Sequence, residues 1–132
     1  RFAADKTLLR LAAPELVSAA EARLRGEQVD STAINLTAQA LCAMPGGNAI
    51  DTVVLACTHF PLLEPELAAA FGPGVQFVHG AEGIARRIAS LTDGQPFRRD
   101  HQDLALFTSD GEAIEAYRAG LASYGLTRIE SF

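Results

Sequence analysis

The stretch DTVVLAC, residues 51–57, constrains the fold more than any other part of this chain. Its paired valines are stiff at χ1 and favour extended backbone. Its apolar residues run on without the alternation that marks a strand with one wet face, so it is expected to be buried on both sides, as strands of parallel sheets are. The flanking sequence supplies the helices such a sheet needs. PELVSAAEARLRG sets Leu16, Ala19, Ala20 and Leu24 near helical spacing behind Pro14, with Gly26 placed as a C-cap. DSTAINLTAQALCAM opens on an Asp/Ser start signal and puts Ile34, Ala38, Leu41 and Cys42 on one apolar face. Beyond the strand the same patterns predict a helix in EPELAAAF, a strand in VQFVHG, a helix in AEGIARRIASLTDG, a strand in LALFTS, a helix in DGEAIEAYRAGLASYG and a strand in LTRIESF. Residues 6–12, short, leucine-rich and bounded by Pro14, read as a further strand. The order βαα-βα-βα-βα-β indicates an α/β fold: a mainly parallel sheet with flanking helices, linked by right-handed crossovers.

Composition narrows the class. With 132 residues, 48% hydrophobic and 20% charged, the chain can bury a core of its own. No apolar run approaches the roughly 20 residues of a membrane helix, and residues 1–20 lack the basic leader and apolar block of a signal peptide, so a cytoplasmic location is expected. The chain begins without Met and enters an apolar segment almost at once, which suggests the interior of a longer gene product. A net charge of −5, with arginines clustered only as the pairs Arg86-Arg87 and Arg98-Arg99, argues against a nucleic-acid partner, which needs a basic patch. Two cysteines make no disulfide framework, and Cys42 and Cys57 lack metal-knuckle spacing.

Cys57 therefore has to be judged as a thiol. In parallel α/β folds ligands gather where strand C-termini meet helix N-termini, and Cys57, Thr58 and His59 fall at such a junction. A thiol works as nucleophile or base only as thiolate, and a helix N-terminus or an imidazole lowers its pKa. His59 is close enough in sequence to share the pocket, and Thr58 with the free N–H groups of the turn can hold a carboxylate. Proton transfer beside a bound anion is the chemistry this favours; a hydrolase using His59 as base stays open, although residues two apart on a strand end align poorly for it. Cys42, on an Ala/Leu helix face, reads as a small buried hydrophobe. His79, at another strand end, offers a binding residue but reads first as a solvent-facing loop histidine, and His101 reads as surface. No metal is expected, for want of further ligands. Pyridoxal phosphate is disfavoured because the sole lysine, Lys6, begins a strand rather than ending one, and the glycine turns FGPG and GAEG do not make a dinucleotide fingerprint.

At VVLACTHFPLL the chain closely resembles the cofactor-independent glutamate racemases of the aspartate/glutamate racemase family, whose second catalytic cysteine lies in a Gly/Ala-Cys-Thr-His-Phe/Tyr-Pro-Leu segment. ELVSAAEARLRGE, GAEGIARR and LALFTSDGEAIEAY also fall where members have counterparts. The resemblance implies two α/β domains facing across a cleft, of which this chain is a C-terminal part. Residues 1–78 would belong to the second domain, and residues 79–132 would be the return segment completing the first. It implies a two-base mechanism without cofactor, one cysteine thiolate taking the substrate α-proton while the other cysteine protonates the opposite face. By position, Cys57 is one of these bases, His59 aids its protonation and deprotonation, Thr58 contacts the glutamate carboxylate or amine, and Glu21 is the acid that orients the histidine.

The full-length protein is thus expected to be a glutamate racemase, an isomerase supplying D-glutamate for peptidoglycan, with glutamate as its small-molecule substrate and no membrane partner. The family's Cys-Asn-Thr and N-terminal Asp-Ser motifs are absent here, and His79-Gly80 replaces the Asp-Ser that precedes a glycine in many members. The chain alone is therefore expected to be inactive. Severing a two-domain fold exposes apolar surface, so self-association into a homodimer is a further expectation. The alternatives are a related aspartate or hydantoin racemase, an arylmalonate decarboxylase-like enzyme, or a non-catalytic homologue that binds a small anion or a protein.

Overall fold

The computed structural model describes residues 4–98, 100–108 and 112–131. Arg99, Ser109 at the end of a predicted strand, Asp110-Gly111 at the start of the last predicted helix, and Phe132 lie outside them, as do residues 1–3. The elements run α1 (Glu15–Leu24), α2 (Ser31–Cys42), β1 (Thr52–Val54), α3 (Glu64–Phe71), β2 (Gln76–Val78), α4 (Ala81–Leu91), β3 (Leu104–Phe107), α5 (Glu112–Glu115), α6 (Arg118–Ser123) and β4 (Arg128–Ser131). Both strand pairings are parallel, β1 with β2 and β3 with β4, so helices carry the chain between paired strands as the sequence predicts. The chain forms two compact units, one of Arg1–Ala20 and Asp30–His79, the other of Glu21–Val29 and Gly80–Phe132.

Local chemistry sets the helix ends. Gly26, at φ 74°, takes the left-handed conformation that a side chain resists. There the Glu27 N–H reaches the Ala22 carbonyl and the Gly26 N–H the Arg23 carbonyl, both at 2.9 Å, the paired bonds of a Schellman cap. Asp30 caps α2 by accepting from the Thr32 N–H at 2.8 Å, and its carboxyl is held below the usual range first by the Thr32 side chain and then by that backbone bond.

Among the described residues, the buried apolar side chains all belong to the first unit: Leu16, Ala19 and Ala20 of α1, Ile34 and Ala38 of α2, then Leu55, Leu63 and Leu67. Ile34, Leu63 and Leu67 are enclosed completely, and α2 packs on α3. Leu63 and Leu67 flank the start of α3, so the core anchors the segment that follows β1.

Four expectations are corrected. Residues 6–12 are not a strand: a strand exists only by pairing, and no segment among the described residues pairs with them. β1 is not buried on both sides. Val53 and its partner Phe77 are half-buried, with Phe77 edge-on to Phe71 at 5.9 Å, but Val54 on the other face is 63% exposed. Cys42 is exposed rather than part of the apolar face. Each i+4 step drifts about 40° around a helix, so by the second step from Ile34 the chain has turned Cys42 off the buried stripe, and half-buried Leu41 continues it. The last predicted helix is two, α5 and α6, because the Tyr117 N–H bonds to Ile114, three residues back, at 3.1 Å, which interrupts the i−4 ladder.

In the second unit the apolar stripe of α4 is uncovered, Ile84, Ile88 and Leu91 all being more than half exposed. No helix among the described residues is long and apolar enough to cross a membrane.

Candidate active site

The β1–β2 ladder continues one bond past β1, from the Leu55 N–H to the Val78 carbonyl at 2.8 Å, and then stops. Ala56 is exposed and Cys57 half-buried. Cys57 opens a bend that tightens at once into a 3₁₀ turn, Phe60–Leu63, with Pro61 near its start. The Phe60 N–H reaches the Cys57 carbonyl at 3.3 Å and the Leu62 N–H the His59 carbonyl at 3.0 Å. α3 begins directly afterwards at Glu64, with Pro65 in its first turn, where a missing N–H costs nothing. The sequence folds this way because ACTHFPLLEPEL offers a strand end, two prolines suited to helix starts, and two leucines that the core takes.

This turn brings Cys57, Thr58 and His59 together. Cys57 Sγ lies 3.8 Å from His59 Nδ1. The thiol is held below its ordinary range, first by the backbone N–H of His59, then by the His59 imidazole, with a smaller contribution from the Phe60 N–H; partial burial opposes them. These are the donors that favour a thiolate. Thr58 is exposed beside them. The arrangement can take up and release a proton at sulfur and offers Thr58 to a polar ligand.

The alkylation rate of Cys57 is therefore expected to rise with a midpoint below the roughly 8.5 of a free cysteine, and His59→Ala is expected to move that midpoint upward. Iodoacetamide kinetics against pH check both; an unchanged midpoint in the variant would remove His59 from the site. Because the folded chain carries the lower thiol pKa, the stability from these bonds is present above the unfolded pKa and is lost as pH falls through the folded one.

Glu21 belongs to the second unit. It is partly exposed, accepts from the Tyr117 hydroxyl at 2.7 Å and has Arg25 Nη1 at 4.0 Å. His79 lies in the loop after β2 but only partly faces solvent: its side chain is 29% exposed, with Nε2 3.8 Å from Glu64 Oε2. The pair joins the end of β2 to the start of α3, a contact foreshadowed only by His79 sharing with Cys57 a place at a strand end. His101 is exposed, on an open hollow of about 510 Å³ that none of the predicted site residues lines. No group of three or more His, Cys, Asp or Glu among the described residues could hold a metal ion. Tyr117 was invisible to sequence reasoning, since nothing local in EAYRAG points 96 residues back to Glu21.

Several known proteins are similar to this chain. A glutamate racemase of Sphingopyxis alaskensis is 54% identical over 132 residues, covering 99% of this chain and 49% of that protein. One from Shewanella loihica is 33% identical, covering 100% of this chain and 48% of its own length. Among solved structures, Escherichia coli glutamate racemase in complex with L-glutamate and the activator UDP-MurNAc-ala superposes with a TM-score of 0.80 at 32% identity, over 92% of this chain and 46% of that one. A Bacillus anthracis glutamate racemase isoform, at 21% identity and a TM-score of 0.63, shares the fold. The chain spans about half the length of the curated relatives it matches. No family model matches it.

Proposed function

Because the chain belongs to the glutamate racemase family, we propose that the full-length protein interconverts L- and D-glutamate, with Cys57 as one of its two acid/base thiols. The observation that carries this reading is the Cys57 thiol at the end of a parallel strand, held below its ordinary pKa by the His59 N–H and imidazole.

In one direction the Cys57 thiolate takes the proton from the glutamate α-carbon, becoming a thiol and leaving the electron pair on carbon. A second cysteine thiol, outside this chain, gives its proton to the opposite face and becomes the thiolate. In the other direction the roles exchange. No electrons are transferred, so the chemistry needs no redox partner. An α-C–H is far less acidic than a thiol, so fixed donors in a water-excluded site must stabilise the developing carbanion. His59 keeps Cys57 ready to change protonation state, Thr58 contacts the carboxylate or amine, and Glu21 orients the histidine.

On this reading residues 1–78 form part of the second domain and residues 79–132 return to complete the first. The protein is cytoplasmic and supplies D-glutamate for peptidoglycan. In the isolated chain the uncovered stripe of α4 supports pairing with a second copy.

Full-length protein incubated with either glutamate enantiomer in deuterium oxide is expected to incorporate deuterium at the α-carbon and to invert it, read by proton NMR and circular dichroism. Absence of both from both enantiomers overturns the proposal. Exchange confined to aspartate, a hydantoin or an arylmalonate assigns the related activity instead.

A further inference from the structure

Within the second unit, the carboxylate of Glu21 is gripped by a residue from the far end of the chain. The Tyr117 hydroxyl donates to Glu21 Oε2 at 2.7 Å. Arg25, one helical turn from Glu21, donates from Nη1 to the same hydroxyl at 3.2 Å, and its guanidinium lies 5.7 Å from the Tyr117 ring centroid. Glu27 holds Arg25 from its other edge through bonds of 2.7 and 3.0 Å. A guanidinium has only protons to give, so the phenol oxygen accepts from Arg25 and commits its single proton to Glu21. The donors therefore run one way, from Arg25 through Tyr117 to the carboxylate.

The backbone fixes the distance at which this happens. Gly120 lies so close to the end of α1 that a Cβ there would fall 1.9 Å from the Leu24 carbonyl oxygen, so only glycine fits. Tyr117 and Gly120 are three residues apart, as are Glu21 and Leu24, and residues so spaced share one side of a helix. The start of α6 thus meets the last turn of α1 at two points. A surface pair of long side chains would be free to separate, whereas this phenol is set in place by a main-chain contact one turn away.

We propose that Tyr117 is a positioning residue for Glu21, fixing one carboxylate oxygen so that the acid keeps a single orientation through the proton transfers. The inference rests on the racemase reading, in which Glu21 orients His59.

The test uses the full-length protein, with kcat and KM measured for both enantiomers in wild type, Tyr117→Phe, Glu21→Gln and the double variant, each normalised to folded protein by alkylation titration of Cys57. Tyr117→Phe keeps the ring and its cation contact and removes only the hydroxyl. It is expected to lower kcat about five- to tenfold with KM nearly unchanged, and to cost nothing further in the Glu21→Gln background. Equal losses in both backgrounds, a change in KM alone, an unchanged kcat in Tyr117→Phe, or an unchanged kcat in Glu21→Gln each overturn the inference. An inactive wild type overturns it together with the racemase reading; an active wild type with any of those four results overturns it alone.

Discussion

Replacing Cys57 with alanine in the full-length protein is expected to lower racemisation at least about 100-fold in both directions, since a positioned acid/base group contributes typically 10²–10⁴. The two directions fall together because each turnover uses Cys57 once, as base for one enantiomer and as acid for the other. Exchange of the α-proton separates the faces. The enantiomer whose proton faces Cys57 is expected to lose deuterium exchange, while the other can still be deprotonated by the opposed cysteine. Serine at position 57 keeps the shape but carries a far weaker acid, so it is expected to behave like alanine. Exchange left unchanged for both enantiomers in Cys57→Ala would remove Cys57 from the mechanism and with it the assignment of the turn. Deuterium NMR and polarimetry on the same samples give both readouts.

The second large effect is on stability and reaches the site through packing. Leu63 is completely enclosed, closes the 3₁₀ turn that begins after His59 and leads directly into α3. Leu63→Ala removes its packing and leaves a cavity, so it is expected to destabilise the protein by about 2–5 kcal/mol in urea unfolding. Half-buried Leu62 is expected to cost less on the same truncation. Because Leu63 ties the turn to the core, its loss is also expected to move the Cys57 alkylation midpoint toward that of a free cysteine. A cost below about 1 kcal/mol would mean that the surroundings collapse onto the site without penalty, and that the core does not hold the turn.

The features read correctly from sequence are those written in short stretches. Gly26 and Asp30 end and begin helices through bonds spanning two to five residues, so the residues themselves announce them. The junction at Cys57, Thr58 and His59 was legible for the same reason: an apolar run, a polar triplet and two prolines all lie within residues 53–65. Tyr117 and its partner Glu21, by contrast, are 96 residues apart, and neither has a neighbour that signals the other. The partial covering of the His79 loop position was not legible because its counterpart, Glu64, reaches it across a strand and a helix. The break between α5 and α6 depends on one carbonyl three rather than four residues back, a choice that periodicity does not register.

Local patterns in the chain specify the alternation of helices with parallel strands and the strand-end turn that carries the Cys57 thiol beside His59. Side-chain periodicity, caps and prolines act over a single turn or strand. Which apolar faces are covered depends on the packing of distant segments. That packing left Val54 and the α4 stripe open, turned Cys42 outward, gave residues 6–12 no strand partner among the described residues, and set Tyr117 on Glu21. Each of these is fixed by which distant segment happens to lie alongside, and hydrogen bonds and burial between segments exist only once the chain has brought them together.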